Sequence, residues 1–359
     1  MLEHDFRAIP VDPQDPRVED YVAAHSEALL YHHPAWLRVL ERSYGCEPLL
    51  LACEGTKRLR GILPLVRSRG IVTGRRVSSL AHTPVCGPLA DSSEAAAALM
   101  ASAVELVRRH PGTALELRLP SRRFGDGAYG ANAVPSEVMY ELQLPDDMAP
   151  LRFGNARNHG RIKWAVNKAT RFGVEVREAK HPEQLRAWYA LYVETMRAHA
   201  RLPIPRRFFE AIWELSPGGS VRLLLAEQAG AHRQLLAGSL FLLYGQTAIY
   251  AFNGRRGDRL ASRPNELLLW RAIHDAREAG FTRFSFGQVA AGQDGLAQFK
   301  AKWGAKECSP HRYVYPPQSA GMGAARGCAA AFERAGAPLM RRLPARLATL
   351  AGDAVYRYG

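Results

Sequence analysis

Long apolar runs are missing from this 359-residue chain. No stretch approaches the roughly 18 apolar residues that span a bilayer, so no transmembrane helix is expected. The opening MLEHDFRAIPVDPQDP is polar and lacks the apolar centre of a secretory signal. Cysteine is scarce: Cys46, Cys53, Cys86, Cys308 and Cys328 are odd in number and widely scattered. None has the short spacing of zinc ligands, and reduced, mostly buried thiols in a cytoplasm are expected. No Ser-His-Asp set is legible, since His32, His33 and His82 stand apart from any such pattern. Acidic residues are short against basic ones, 34 Asp and Glu against 48 Lys and Arg, for a formal net charge of +14. The excess favours anionic partners such as nucleic acid, nucleotide-linked sugars or acidic headgroups. A genomic base bias explains the scattered arginines equally well.

What is present is a soluble composition, 47% hydrophobic and 23% charged, on a chain long enough for two cores. Helices are expected over Pro16–Leu30, from Pro34 to a stop at Gly45, and over Ser93–His110. Strands are expected at Leu49–Ala52, Leu59–Val66, Ile71–Leu80, Thr113–Leu119 and Glu137–Leu144. Pro84 and Pro88 make the segment from Ala81 to Pro88 a loop, and residues 145–150 read as a linker. The second half repeats this grammar. Helices at His181–Ala200 and Pro205–Leu215 precede strands at Leu223–Ala226, Leu235–Tyr244 and Thr247–Asn253. Leu49–Ala52 followed by Gly61-Ile62-Leu63 aligns with Leu223–Ala226 followed by Gly238-Ser239-Leu240, which implies duplication of one α/β unit. The expected layout is a first domain over 1–148, a second over 151–316 and a basic Ala/Arg-rich tail over 317–359. From Ser319 on, six arginines face Glu333 and Asp353. That tail can lie on an anionic membrane surface or pack back as a helix, and Pro344 interrupts it.

Two stretches carry candidate chemistry. The first is Pro264–Lys306: a helix to Gly280, a strand Thr282–Phe286, a Gly-rich loop, then Phe299-Lys300-Ala301-Lys302-Trp303-Gly304. Ser262 is a candidate cap, and free N–H groups at this helix start can hold an anion. The preceding Asn253–Ala261 lacks the Gln/Arg-x-x-Gly-x-Gly/Ala loop that cradles a coenzyme A pyrophosphate, which counts against acetyl-CoA. A fixed cation such as Lys300 can stabilise the oxyanion of acyl transfer. Alternatively, Phe299 and Trp303 pack one helical face while the lysines are solvated. The second stretch is Leu151–Phe172, with Arg152, Arg157, Arg161, Lys163, Lys168 and Arg171, no acidic residue, and Trp164 and Phe172 interleaved. This suits phosphates or RNA, or is a solvated basic face. Glu194, Asp258 and Glu266 are candidate proton acceptors.

The order of these segments resembles a known family. A basic helix from Asn155 through Lys168 is followed by Leu191-Tyr192-x-x-Thr195-Met196, Gly238-Ser239 and Pro264-Asn265-Glu266. Phe286-Gly287 and Phe299-Lys300-x-Lys302-Trp303-Gly304 complete it. It looks like the FemAB-type branch of the GNAT superfamily, in particular the FemAB-related proteins of bacterial exosortase and exopolysaccharide systems. The long helical-hairpin insertion of the staphylococcal members is lacking. The resemblance implies an α/β (α+β) fold of tandem duplicated GNAT-like domains, each a mixed, mostly antiparallel sheet flanked by helices. It implies an acyl- or aminoacyltransferase with no bound cofactor, whose co-substrate is aminoacyl-tRNA or acyl-CoA. The acceptor would be an anionic cell-envelope precursor, of peptidoglycan or exopolysaccharide, and DNA is not an expected partner. The family's Phe-Lys pair beside the acyl donor maps onto Phe299 and Lys300. Arg157 and Arg161 are candidates for the acceptor's phosphates, from charge. Asn253, Lys302, Trp303, Tyr250 and Trp36 complete the candidate substrate-binding set. A cytoplasmic protein, peripheral at the inner membrane through its tail, is the expected location. The rival readings are an acyl-CoA-dependent N-acetyltransferase and a non-catalytic binder of anionic polymers or RNA.

Overall fold

Aliphatic runs that cannot be solvated on both faces pair into an eight-stranded and a seven-stranded sheet in a computed structural model of the chain. It describes residues 7–55, 58–70, 74–80, 83–125, 127–145, 156–230, 233–317 and 341–358, without the side chains of 156–159, 259, 260 and 358. The expected linker, His82, Arg152, Cys328 and most of the tail lie outside the described residues.

In the first sheet β1 (Ala8–Val11), β2 (Glu47–Glu54), β3 (Leu59–Gly70) and β4 (Gly74–Ser78) are successively antiparallel. After the short β5 (Leu89–Ala90) and helix α3 (Ser93–Arg108), β6 (Thr113–Leu119) returns parallel to β4. In the second sheet β9 (Val174–Glu178), β10 (Val221–Gln228), β11 (Gln234–Tyr244) and β12 (Thr247–Arg255) are again successively antiparallel. Helix α7 (Pro264–Glu278) then leads to β13 (Arg283–Val289), parallel to β12. The expected duplication is thus realised strand by strand. Two helices precede each central hairpin: α1 (Pro16–Ala24) and α2 (Pro34–Tyr44), then α5 (Pro182–Ala198) and α6 (Arg206–Leu215). Helix α4 (Ala156–Arg171) opens the second half.

The last two positions of each sheet correct the expected domain boundaries. The first sheet is completed by β15 (His311–Tyr315) and β7 (Asn132–Pro135), the second by β8 (Val138–Gln143) and β14 (Lys306–Cys308). Strand β8, expected in the first domain, pairs with β13, and β15, expected in the second, pairs with β6. Each half therefore receives a strand from the other. Alternation along a strand says which face is buried but not which sheet it joins, so the exchange leaves no trace in the pattern.

Smaller differences have local causes. Helix α1 stops at Ala24 and not Leu30, because His25 turns to extended backbone. Gly45 ends α2 in the left-handed region, φ 68°, as its position requires. The Gly61–Gly238 alignment is out of register by two. Leu51 faces Leu63, whereas the matching Leu225 faces Gly238. Gly238 has its own reason: a Cβ there would lie 2.5 Å from Trp188, whose indole N–H donates to the Gly238 carbonyl at 2.8 Å.

The halves share one apolar core. Trp36 and Tyr44 of α2 meet Trp188 and Tyr192 of α5 and Phe208 and Phe209 of α6 in a single cluster. The opposite face of the second sheet is covered by α4, α7 and helix α8 (Asp294–Ala301), over Phe241, Phe284, Phe286 and Trp303.

Candidate active site

The second sheet opens where its one parallel pair ends. Strands β12 and β13 pair only over Thr247–Ile249 and Arg283–Ser285. Beyond Ile249 the edge of β12 facing β13 has no strand partner among the described residues. Both strands are bulged there. Phe252 faces Leu240 and Tyr250 faces Phe241, so Ala251 is the extra residue. On β13, Phe286 is extra against β8, and Gly287 adopts φ 72°. The β12 bulge shifts the alternation by one. Tyr250 and Asn253 consequently both face α7, while Phe252 packs into the interdomain core.

These two side chains belong to one hydrogen-bonded chain. The Tyr250 phenol pairs with Ser239, and burial raises it to about 12. The Asn253 amide donates to Ser239 Oγ at 3.0 Å and to Asn265 Oδ1, on the first turn of α7, at 3.3 Å. Beside Asn265 sits Glu266, 7% exposed. Its Oε1 lies 3.4 Å from Lys302 Nζ and 3.5 Å from an Arg263 guanidinium nitrogen. Lys302 rests over the Phe299 ring at 4.4 Å, and Arg263 over Trp164 of α4 at 5.6 Å. Arg263 is the N-cap of α7 in the left-handed region, φ 56°, with no side-chain cap, so the expected Ser262 cap is corrected. A non-glycine residue held there costs of order 1–3 kcal/mol, as residues at functional sites often do.

Lys300 lies on the far side of α8. It is 3% exposed, and its ammonium donates to the carbonyls of Gly287 at 3.0 Å and Gln288 at 2.8 Å. Burial pulls its pKa down to about 8, with Glu137 opposing. The Tyr140 ring centroid is 6.0 Å away. Tyr140, Gln288 and Glu137 also line a pocket of about 610 Å³ at the seam between the two sheets, with Arg118, Arg312 and Asp294. Lys300 thus tethers the strand segment that separates this pocket from the opened β12 edge.

The predicted residues divide accordingly. Tyr250, Asn253, Phe299 and Lys302 converge at the opening, with Lys300 behind it. Trp303 and Trp36 do not take part. Trp303 is wholly buried beneath α8. Trp36 is 2% exposed, donates to Thr83 Oγ1 at 3.3 Å and meets Phe208 edge-on. Both are core residues, a correction to their candidate substrate contacts. Arg161 is exposed on α4, with no contact to this cluster recorded, and the Arg157 side chain lies outside the described residues. Of the three candidate carboxylates, Glu194 and Asp258 are exposed and only Glu266 joins the cluster. Ser239, Asn265 and Arg263 were not expected as site residues. Adjacency to Gly238 and to the helix start was the available signal.

A parallel pair that opens beside a crossover helix, repeated in two linked halves, defines a tandem GNAT fold. In agreement, residues 156–301, within the second half, match the acetyltransferase (GNAT) domain family. No curated protein sequence matches the chain. Among solved structures, FemX is similar, with a TM-score of 0.65 at 15% identity, over 86% of this chain and 98% of FemX. The C-terminal domain of a putative lysylphosphatidylglycerol synthetase from Agrobacterium fabrum is similar at TM-score 0.58 and 13% identity, over 86% and 93%. A tandem GNAT protein from the clavulanic acid biosynthesis pathway is similar at 0.50 and 14%, over 86% and 98%. At these identities the likeness is one of fold. No helix among the described residues is long and apolar enough to cross a membrane.

Proposed function

We propose that this chain is an acyl- or aminoacyltransferase that acylates an amine or hydroxyl of an anionic cell-envelope precursor. One observation carries the reading: the opened β12 edge lies beside Tyr250, Asn253, Glu266 and Lys302, in a fold shared with FemX. Acyl transfer needs donors for the carbonyl oxygen as it becomes an oxyanion, and N–H groups of β12 between Ile249 and Arg255, whose own N–H is taken by Thr195, would supply them. It needs an acceptor for the nucleophile's proton, and Glu266 is the carboxylate in reach of the cluster. Lys302 and Arg263 match its charge and present cations to an anionic substrate. Holding donor and acceptor on the two sides of one strand opening contributes rate through positioning. The donor would enter along β12 and α7. The seam pocket, with Arg118 and Arg312, would receive the acceptor. The departure from the pyrophosphate loop favours an aminoacyl donor over acetyl-CoA.

The test is donor-dependent turnover and thermal stabilisation with acyl-CoAs and with charged tRNA. Stabilisation by charged tRNA and product formation are expected, and stabilisation by acyl-CoA alone would sink the aminoacyl reading. Within either reading, Glu266→Gln should lower kcat by ~10²-fold with donor binding retained. Wild-type turnover in that variant would remove Glu266 from the mechanism.

A further inference from the structure

The C-terminal helix α9 (Ala345–Tyr358) is bound to the body of the protein by one face only. Ala348 is fully buried, and a Cβ on Gly352 would lie 2.2 Å from the Pro203 carbonyl oxygen. Asp353 is paired with Arg207, and Tyr356 stacks on Tyr44 at 6.0 Å. The opposite face is apolar and open. Leu347, Leu350 and Ala354 follow at three- and four-residue spacing on that side, with Leu347 49% and Leu350 65% exposed. Val355 adds another exposed side chain, so three of the seven exposed large hydrophobic residues among the described ones fall on this one helix. The rim is cationic: Arg341, Arg342, Arg346 and Arg357 are all exposed, and the helix's one acidic residue, Asp353, is occupied by Arg207.

Charge decides what can cover this face. A second copy would set arginine against arginine on a chain of net charge +14. The chain's own 318–340 holds Arg326 and Arg334 against Glu333 and so offers no acidic complement. An anionic bilayer offers both halves of the match, phosphates for the arginines and an acyl boundary for the leucines. We infer that α9 is a membrane-surface anchor, lying in the plane of an anionic bilayer with Leu347 and Leu350 inserted and the arginines at headgroup level.

The full-length protein would be sedimented with vesicles of phosphatidylglycerol and phosphatidylcholine, and with vesicles of phosphatidylcholine alone. Binding to the mixed vesicles that weakens with salt is expected. The double variant Leu347→Glu, Leu350→Glu should bind at least about tenfold more weakly with an unchanged Tm, because both positions face away from the packed side. Equal partitioning onto both vesicle types would overturn the inference. So would undiminished binding of the double variant, which would assign the interaction to net charge alone. A concentration-dependent dimer that the same variant disperses would show that a second copy covers the face.

Discussion

Lys300→Met should lower kcat by ~10²-fold and leave residual activity without an alkaline limb. The ammonium is buried and spans the carbonyls of Gly287 and Gln288, where β13 bends away from β12. It acts as a positioning residue for the opening and as a fixed positive charge behind it. Loss of one preorganised electrostatic group of this kind costs a few kcal/mol of transition-state stabilisation. The wild-type enzyme should lose activity as pH rises through about 8, where burial places this group. Lys300→Arg keeps the charge at higher pH and should carry activity further into the alkaline range. Stability moves the other way. The folded chain releases this proton near 8, while the unfolded chain keeps it until the ordinary lysine value. The unfolded state therefore binds more protons between these two points, and wild-type stability should rise there relative to the Met variant. Below 8 both states are protonated, and the penalty of burying the charge is constant. Wild-type kcat in Lys300→Met with an unchanged alkaline limb would remove the lysine from the chemistry.

Much of the scaffold was legible because its signals are local. Pro264 before an apolar helical stripe and Gly280 after it bound α7 closely, and the Leu-rich strands β2 and β10 announced both the hairpins and their duplication. The short edge strands β1, β7, β9 and β14 were not legible, having too few residues to show an alternation. The site itself hinges on one residue that no pattern reveals. Thr247–Asn253 reads as plain alternation, in which Tyr250 and Asn253 face opposite ways. The bulge at Ala251 puts them on one face, and it arises from pairing with β11 rather than from any residue in β12. Trp36 and Trp303 failed for a different reason. An indole serves a core or a binding surface equally well, and only the packing of α2 and α8 decides. Lys300 and Lys302, two residues apart, diverge because α8 directs one back to β13 and the other across to α7. The exchange of β8 and β15 lies beyond sequence reading altogether, and it is what builds the seam pocket from residues of both halves.

Gly254→Ala should destabilise the protein by about 3 kcal/mol or more, and should also impair turnover. A Cβ at this position would lie 2.6 Å from the Tyr192 nitrogen and 2.9 Å from its Cα. Both are backbone atoms of α5 and cannot rotate aside, so the helix or β12 has to move. Overpacking against a side chain costs typically 1–3 kcal/mol, and contact with backbone lies at the upper end or beyond. The displacement reaches the site through its neighbours. Asn253 precedes it, and Arg255, which follows, is tied to α5 by its N–H donating to Thr195 Oγ1 at 2.8 Å. Moving β12 off α5 breaks that bond and tilts the Asn253 amide away from Ser239 and Asn265. Gly295 supplies the control, since it lies inside α8 with nothing within 4 Å of its Cβ position. Gly295→Ala should gain about 0.5–1 kcal/mol from helix propensity alone. Urea unfolding midpoints at constant slope separate the two variants. A wild-type midpoint and wild-type turnover in Gly254→Ala would mean that the close seating of β12 on α5 does not hold the opened strand in place.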